Sequence, residues 1–117
     1  MTELYRDERI VCTDRAIKIR WYYLWGPKRI RYSKIRAAEL VRMGRGTGQG
    51  RVWGTANVRY WANLDSQRRQ KTLALILDTG RPVRPYLTPD DTMAVAKIIQ
   101  ERAGLADIPE TGTSPAV

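Results

Sequence analysis

Histidine is absent from this sequence, and that absence removes most hydrolytic chemistry at once. Ser33, Ser66 and Ser114 have no imidazole to take their protons, and the single cysteine, Cys12, has none to make it a thiolate. One cysteine and no histidine likewise cannot build a closed zinc shell. Carboxylates alone are left: Asp78 stands in a turn signal, and Asp90 and Asp91 stand where a helix begins. The expectation is a protein that is not an enzyme and that needs no metal or cofactor. A lone cysteine also cannot close a disulfide within the chain, and its apolar neighbours predict an inert buried thiol. Long apolar runs are missing too. The uncharged aromatic stretch 21–27 is far shorter than the roughly 20 residues of a spanning helix. The first eight residues hold no apolar signal core, so the expected location is cytoplasmic, with a peripheral place on the inner membrane face as its variant.

Acidic residues are scarce where basic ones are dense. The 117 residues carry 21 Lys plus Arg against 12 Asp plus Glu, a formal charge of +9. Between Arg15 and Lys71 there are 15 basic residues and only two acids, Glu39 and Asp65. Such a surface attracts polyanions through a field that salt weakens. Sixteen of the bases are arginine, a bias that a GC-rich genome produces as readily as a ligand does.

The chain is long enough for one hydrophobic core, so one domain is expected over 8–105, with flexible ends at 1–7 and 106–117. Strand signals fill the first 87 residues. Segment 9–13 is followed by an Asp14-Arg15 turn. Segment 16–25 alternates, with Ile17, Ile19, Trp21, Tyr23 and Trp25 on one face and Lys18, Arg20, Tyr22 and Leu24 on the other. Gly26-Pro27 suits a two-residue hairpin that would pair Tyr23 with Ile30 and Tyr22 with Arg31. A strand over 35–43 runs into a glycine-rich loop at 44–50, and a strand over 51–62 follows. Segment 73–77 reads as a strand buried on both faces, and a turn at 78–81 leads to a last strand ending near Leu87. A helix is then expected from Pro89 to Ala103, with Thr88 as its N-cap, Val95, Ile98 and Ile99 in its apolar stripe and Gly104 as its stop.

Seven short strands closed by one amphipathic helix resemble the pleckstrin-homology-like superfold of bacterial proteins. Two stretches carry the resemblance: Arg31-Tyr32-Ser33-Lys34-Ile35, similar to the strand-turn segment before the fourth strand, and 73–99, similar to the closing strand-turn-strand-helix unit with its Thr-Pro-Asp start. The resemblance covers about residues 8–105 and implies a mainly β fold, a bent seven-stranded antiparallel barrel capped by one C-terminal helix. An oligonucleotide-binding barrel competes less well, because its helix lies between the third and fourth strands.

Two surfaces stand out as candidates. Lys18, Arg20, Arg29 and Arg31 share one outer face if the hairpin forms, and they suit an anion or a lipid headgroup. The pleckstrin-homology resemblance puts a basic cradle in this neighbourhood without a matching signature. Arg51, Trp53, Arg59 and Trp61 fall on the outward parity of the fifth strand, and exposed tryptophan beside arginine suits a protein interface. A bulge at Gly54 would instead turn those rings inward. The glycine loop lacks a following helix or a Gly-Lys-Ser/Thr ending, so it reads as a connection rather than a phosphate loop. The leading expectation is protein interaction, self-association included. Binding to anionic phospholipid comes second and non-specific nucleic-acid binding third, and no small-molecule substrate is implied.

Overall fold

The computed structural model describes residues 2–23, 26–43, 60–62 and 72–113. These hold nine strands: β1 (Glu3–Arg6), β2 (Ile10–Thr13), β3 (Ala16–Tyr23), β4 (Gly26–Arg31), β5 (Ala37–Arg42), β6 (Tyr60–Ala62), β7 (Leu73–Asp78), β8 (Arg84–Leu87) and β9 (Glu110–Thr113). One 3-10 turn covers Tyr32–Lys34, and one α-helix, α1, covers Thr92–Ala103. The first sheet holds β1 to β4 in chain order, and the second runs β6-β8-β7-β5-β9. The protein is therefore mainly β, with two sheets and a helix near its C-terminal end. Among the described residues neither sheet closes on itself.

Period-two alternation sends Ile10, Cys12, Ile17, Ile19 and Ile30 of the first sheet inward, against Leu40, Leu75, Leu77 and Leu87 of the second and Val95 and Ile99 of α1. Strand β7 is buried along its middle, as its continuous apolar run implies. Leu75 and Leu77 enter the main core, while Ala74 and Ile76 join Val41, Met43 and Tyr86 in a second cluster.

The β3–β4 hairpin differs from its expected register. Ile17 pairs with Ile30, Lys18 with Arg29 and Ile19 with Lys28, while Tyr23 pairs with Gly26. Gly26 and Pro27 thus belong to β4 instead of forming the turn. Proline is tolerated there because β4 is, among the described residues, an edge strand of its sheet. Between Ile19 and Tyr23 the register shifts, so that three residues of β3 face one of β4. The bulge inverts the parity: Tyr22, expected on the basic face, is buried. Lys28 lies over its ring at 5.1 Å.

The helix begins later than expected. Asp91, not Thr88, is the N-cap, and its carboxylate accepts the Ala94 N–H at 3.0 Å. The preceding amides are already taken by the other end of the chain. Asp90 N–H donates to Asp7 Oδ2 (2.9 Å) and Asp91 N–H to Tyr5 Oη (3.0 Å). Asp7 Oδ2 also accepts the Tyr5 hydroxyl at 2.7 Å, and Asp7 Oδ1 accepts the amides of Arg9 and Ile10, both at 2.7 Å. Partial burial opposes ionisation of Asp7, but these bonds together outweigh it and hold the carboxyl below the usual aspartate range. Within α1, Val95, Ala96 and Ile99 are buried and Ile98 lies half-buried at the margin.

Gly104 ends the helix as expected, with φ 70° and ψ 31°. A Cβ there would meet no atom within 4 Å, so the left-handed backbone alone sets the cost of a side chain. Gly104→Ala is expected to lower stability by about 1 kcal/mol in thermal melts.

Both ends expected to be flexible contain strands. Strand β1 pairs antiparallel with β2, and β9 pairs parallel with β5. Neither shows an apolar period, because most of their side chains are exposed and main-chain pairing holds them.

Candidate functional site

An open recess of about 640 Å³ lies where β4, the 3-10 turn and the β7–β8 connection meet. Strand β4 lines it with Lys28, Arg29, Ile30 and Arg31, the 3-10 turn with Lys34, and the connection with Thr79 and Arg81. Five cations therefore face one space, and no carboxylate is among the described residues that line it.

Local geometry explains why these side chains converge. On β4, Ile30 is buried, which leaves Arg29 and Arg31 on the exposed parity. The 3-10 turn is fixed at Tyr32, whose hydroxyl donates to Thr13 O (2.7 Å) and whose N–H donates to Arg15 O (3.2 Å). Ile35 N–H closes the turn onto Tyr32 O at 3.0 Å, and Lys34 projects from it into the solvent. Across the recess, Asp78 Oδ1 accepts the Gly80 N–H at 2.9 Å. Gly80 sits at φ 81°, the left-handed conformation that glycine adopts without penalty, and this turns Thr79 and Arg81 towards β4. The other Asp78 oxygen approaches Arg84 at 3.6 Å, so this carboxylate already has a cation. Among the described residues Arg31, Lys34 and Arg81 make no salt bridge.

Of the four cations expected on one face, all are exposed. Lys18 lies directly opposite Arg29, and Arg31 opposite Ala16. Arg29 and Arg31 line the recess; Lys18 and Arg20 do not, and Arg20 stands in the bulge with its N–H on Arg9 O at 2.7 Å. Sequence reasoning missed Lys28, Lys34, Thr79 and Arg81. The density of bases over 28–34 was a usable signal for the two lysines, whereas Arg81 reaches the site only through the fold.

The second candidate surface lies largely outside the described residues. This holds for Arg51, Trp53 and Arg59, and for the glycine loop at 44–50. The backbone of Trp61 is placed in β6, opposite Pro85 of β8, but its side chain is outside the described set.

Chemically, the recess offers positive charge, guanidinium forks and one hydroxyl, a set that holds polyanions through charge-assisted hydrogen bonds. Cys12 is fully buried in the core, and burial pushes its thiol up to about 12 despite an opposing hydrogen bond with Tyr32. Among the described residues no group of three or more Cys, Asp or Glu side chains could hold a metal ion. Nor is any helix there long and apolar enough to cross a membrane. Compared with protein-family models, with curated proteins and with solved structures, the chain matches none.

Proposed function

We propose that this chain is a non-enzymatic binding module of pleckstrin-homology-like build that docks peripherally on anionic phospholipid headgroups. One observation carries the reading: five cations converge on an open recess with no lining carboxylate among the described residues. Lys18 and Arg20, exposed on the neighbouring strand, extend the positive field beyond it. The pleckstrin-homology-like part draws support from the order of elements, in which four strands form one sheet in sequence, strands of a second sheet follow, and a helix packs on β7 and the 3-10 turn. The parallel β6–β8 and β5–β9 pairings depart from an all-antiparallel arrangement.

Binding to vesicles with and without anionic lipid tests this reading. Neutralising Arg31, Lys34 and Arg81 together to glutamine removes three cations that hold no salt bridge among the described residues. At about 1 kcal/mol per basic residue near an anionic surface, affinity for acidic vesicles should fall on the order of 100-fold. Melting should be unchanged, because all three side chains are exposed. Equal binding of the parent to neutral and acidic vesicles would remove the reading. Undiminished binding of the triple variant would move the site elsewhere. Tight binding to single-stranded nucleic acid with none to vesicles would favour the third expectation.

A further inference from the structure

The edge of the second sheet is finished by a segment that follows the helix. Strand β9 has four residues, pairs among the described residues only with β5, and does so in parallel, the weaker of the two ladder geometries. Its register slips: Leu40 faces Glu110 while Arg42 faces Thr113, so β9 carries one extra residue, and Gly112 at φ 100° absorbs it. Glu110, Thr111 and Gly112 are all exposed. The Arg42–Glu110 ion pair, at 3.3 Å, is exposed on both sides and contributes little.

The surface beneath it is built differently. Leu40 is buried, and its N–H donates to Pro109 O at 2.8 Å. The Glu39 carboxylate is half-buried and accepts the Thr111 hydroxyl at 2.8 Å. Leu105 and Ile108, ahead of the strand, pack partly against the main core. To residues 108, 109, 110 and 111 in turn, the edge of β5 thus presents an apolar margin, the Leu40 amide donor, the Arg42 guanidinium and the Glu39 carboxylate. That set recognises an extended segment with an apolar residue, a free carbonyl, an acid and a hydroxyl, the pattern of β-strand addition. An unfilled β5 would expose unpaired backbone groups, so the seat demands an occupant more than this occupant demands the seat.

We propose that the outer edge of β5 is a strand-accepting seat which residues 108–113 fill within one chain and which the same residues of a second copy fill in exchange, so that two chains associate by swapping β9. A second copy is the occupant favoured, because it brings the same contacts without a change of sequence, and exchange of an identical element is a low-cost route to a dimer. The connector 104–107 spans at most roughly 14 Å, so the two copies must meet along this edge and the helix end. None of the recess residues lies on this edge, and the association is independent of lipid binding.

Cross-linking tests the exchange on the full chain. Glu39→Cys and Thr111→Cys are made as separate proteins, mixed at rising concentration, treated with a short bismaleimide and mapped by mass spectrometry. Cys12 stays silent because it is fully buried. The expected result is an interchain 39–111 link that grows with concentration, alongside an intrachain 39–111 link in the double variant. Arg42→Cys with Glu110→Cys gives a second pair across the same edge should the first disturb folding. If the double variant links within the chain while the mixture yields only 39–39 and 111–111 products, exchange is overturned. Failure of both double variants to link overturns the seat itself.

Discussion

Asp7→Asn is expected to destabilise the protein by about 3 kcal/mol, although the change removes one charge and almost no volume. Each oxygen of the Asp7 carboxylate accepts two hydrogen bonds: Oδ1 from the Arg9 and Ile10 amides, Oδ2 from the Tyr5 hydroxyl and the Asp90 amide. An asparagine amide can place oxygen on one side only. With its NH₂ towards Arg9 and Ile10 both amides lose their acceptor, and with it towards Asp90 and Tyr5 the Asp90 amide loses its acceptor while the Tyr5 hydroxyl must turn to accept instead of donating. The loss is felt at both ends of the chain, because these bonds tie the β1–β2 corner to the residues that precede α1. A pH dependence follows. The folded carboxyl ionises at lower pH than an unfolded aspartate, so its contribution is complete above about pH 5 and is lost as pH falls through the folded value. Urea melts at pH 7 and pH 3 should therefore show the gap between parent and variant narrowing towards acid. A gap of less than 1 kcal/mol at pH 7 would mean that the carboxylate does not hold this corner.

Ile99→Ala is the second large effect, expected at about 2–5 kcal/mol. Ile99 is fully buried in a cluster supplied by both sheets and the helix, so truncation opens a cavity that no single element can close by moving. Alanine favours helix more than isoleucine, but by only a few tenths of a kcal/mol, and the cavity dominates. Urea midpoints should fall with an unchanged slope, while Lys97→Ala, two positions away and exposed, should leave them in place. A cost under 1 kcal/mol at Ile99 would show that α1 is not packed on the sheets through this face.

What the sequence reveals divides along a physical line. Elements governed by their own neighbours are legible: the buried run of β7, the Asp78–Gly80 turn and the Gly104 stop each appear where local chemistry puts them. The β3–β4 register is not. The expected pairing and the observed one differ by an even number of residues, so both keep Lys18, Arg29 and Arg31 on one face, and face consistency cannot choose between them. The bulge that decides the matter also buries Tyr22, which a clean alternation placed outside. The helix start is illegible for another reason. Thr88-Pro89 is a good local start signal, but the amides of Asp90 and Asp91 are claimed by Asp7 and Tyr5 from the opposite end of the sequence. The recess was half visible, since Arg29 and Arg31 could be read from one hairpin, whereas Thr79 and Arg81 arrive on a turn whose position depends on how the two sheets meet.

Pro27 gives the two sheets unlike borders. On β4, the outermost described strand of the first sheet, it leaves one position with no N–H to offer, and Lys28, Arg29 and Arg31 repel any identical strand that approaches in register. That border acts as a guard against stacking, so a crowded solution of this protein has no easy template there for fibre-like growth. The border of the second sheet at β9 carries no proline in its strand and is formed, among the described residues, by a short, bulged strand. Sheet extension, if chains are ever driven together, is therefore uneven, hindered at the β4 border and open at the β9 border.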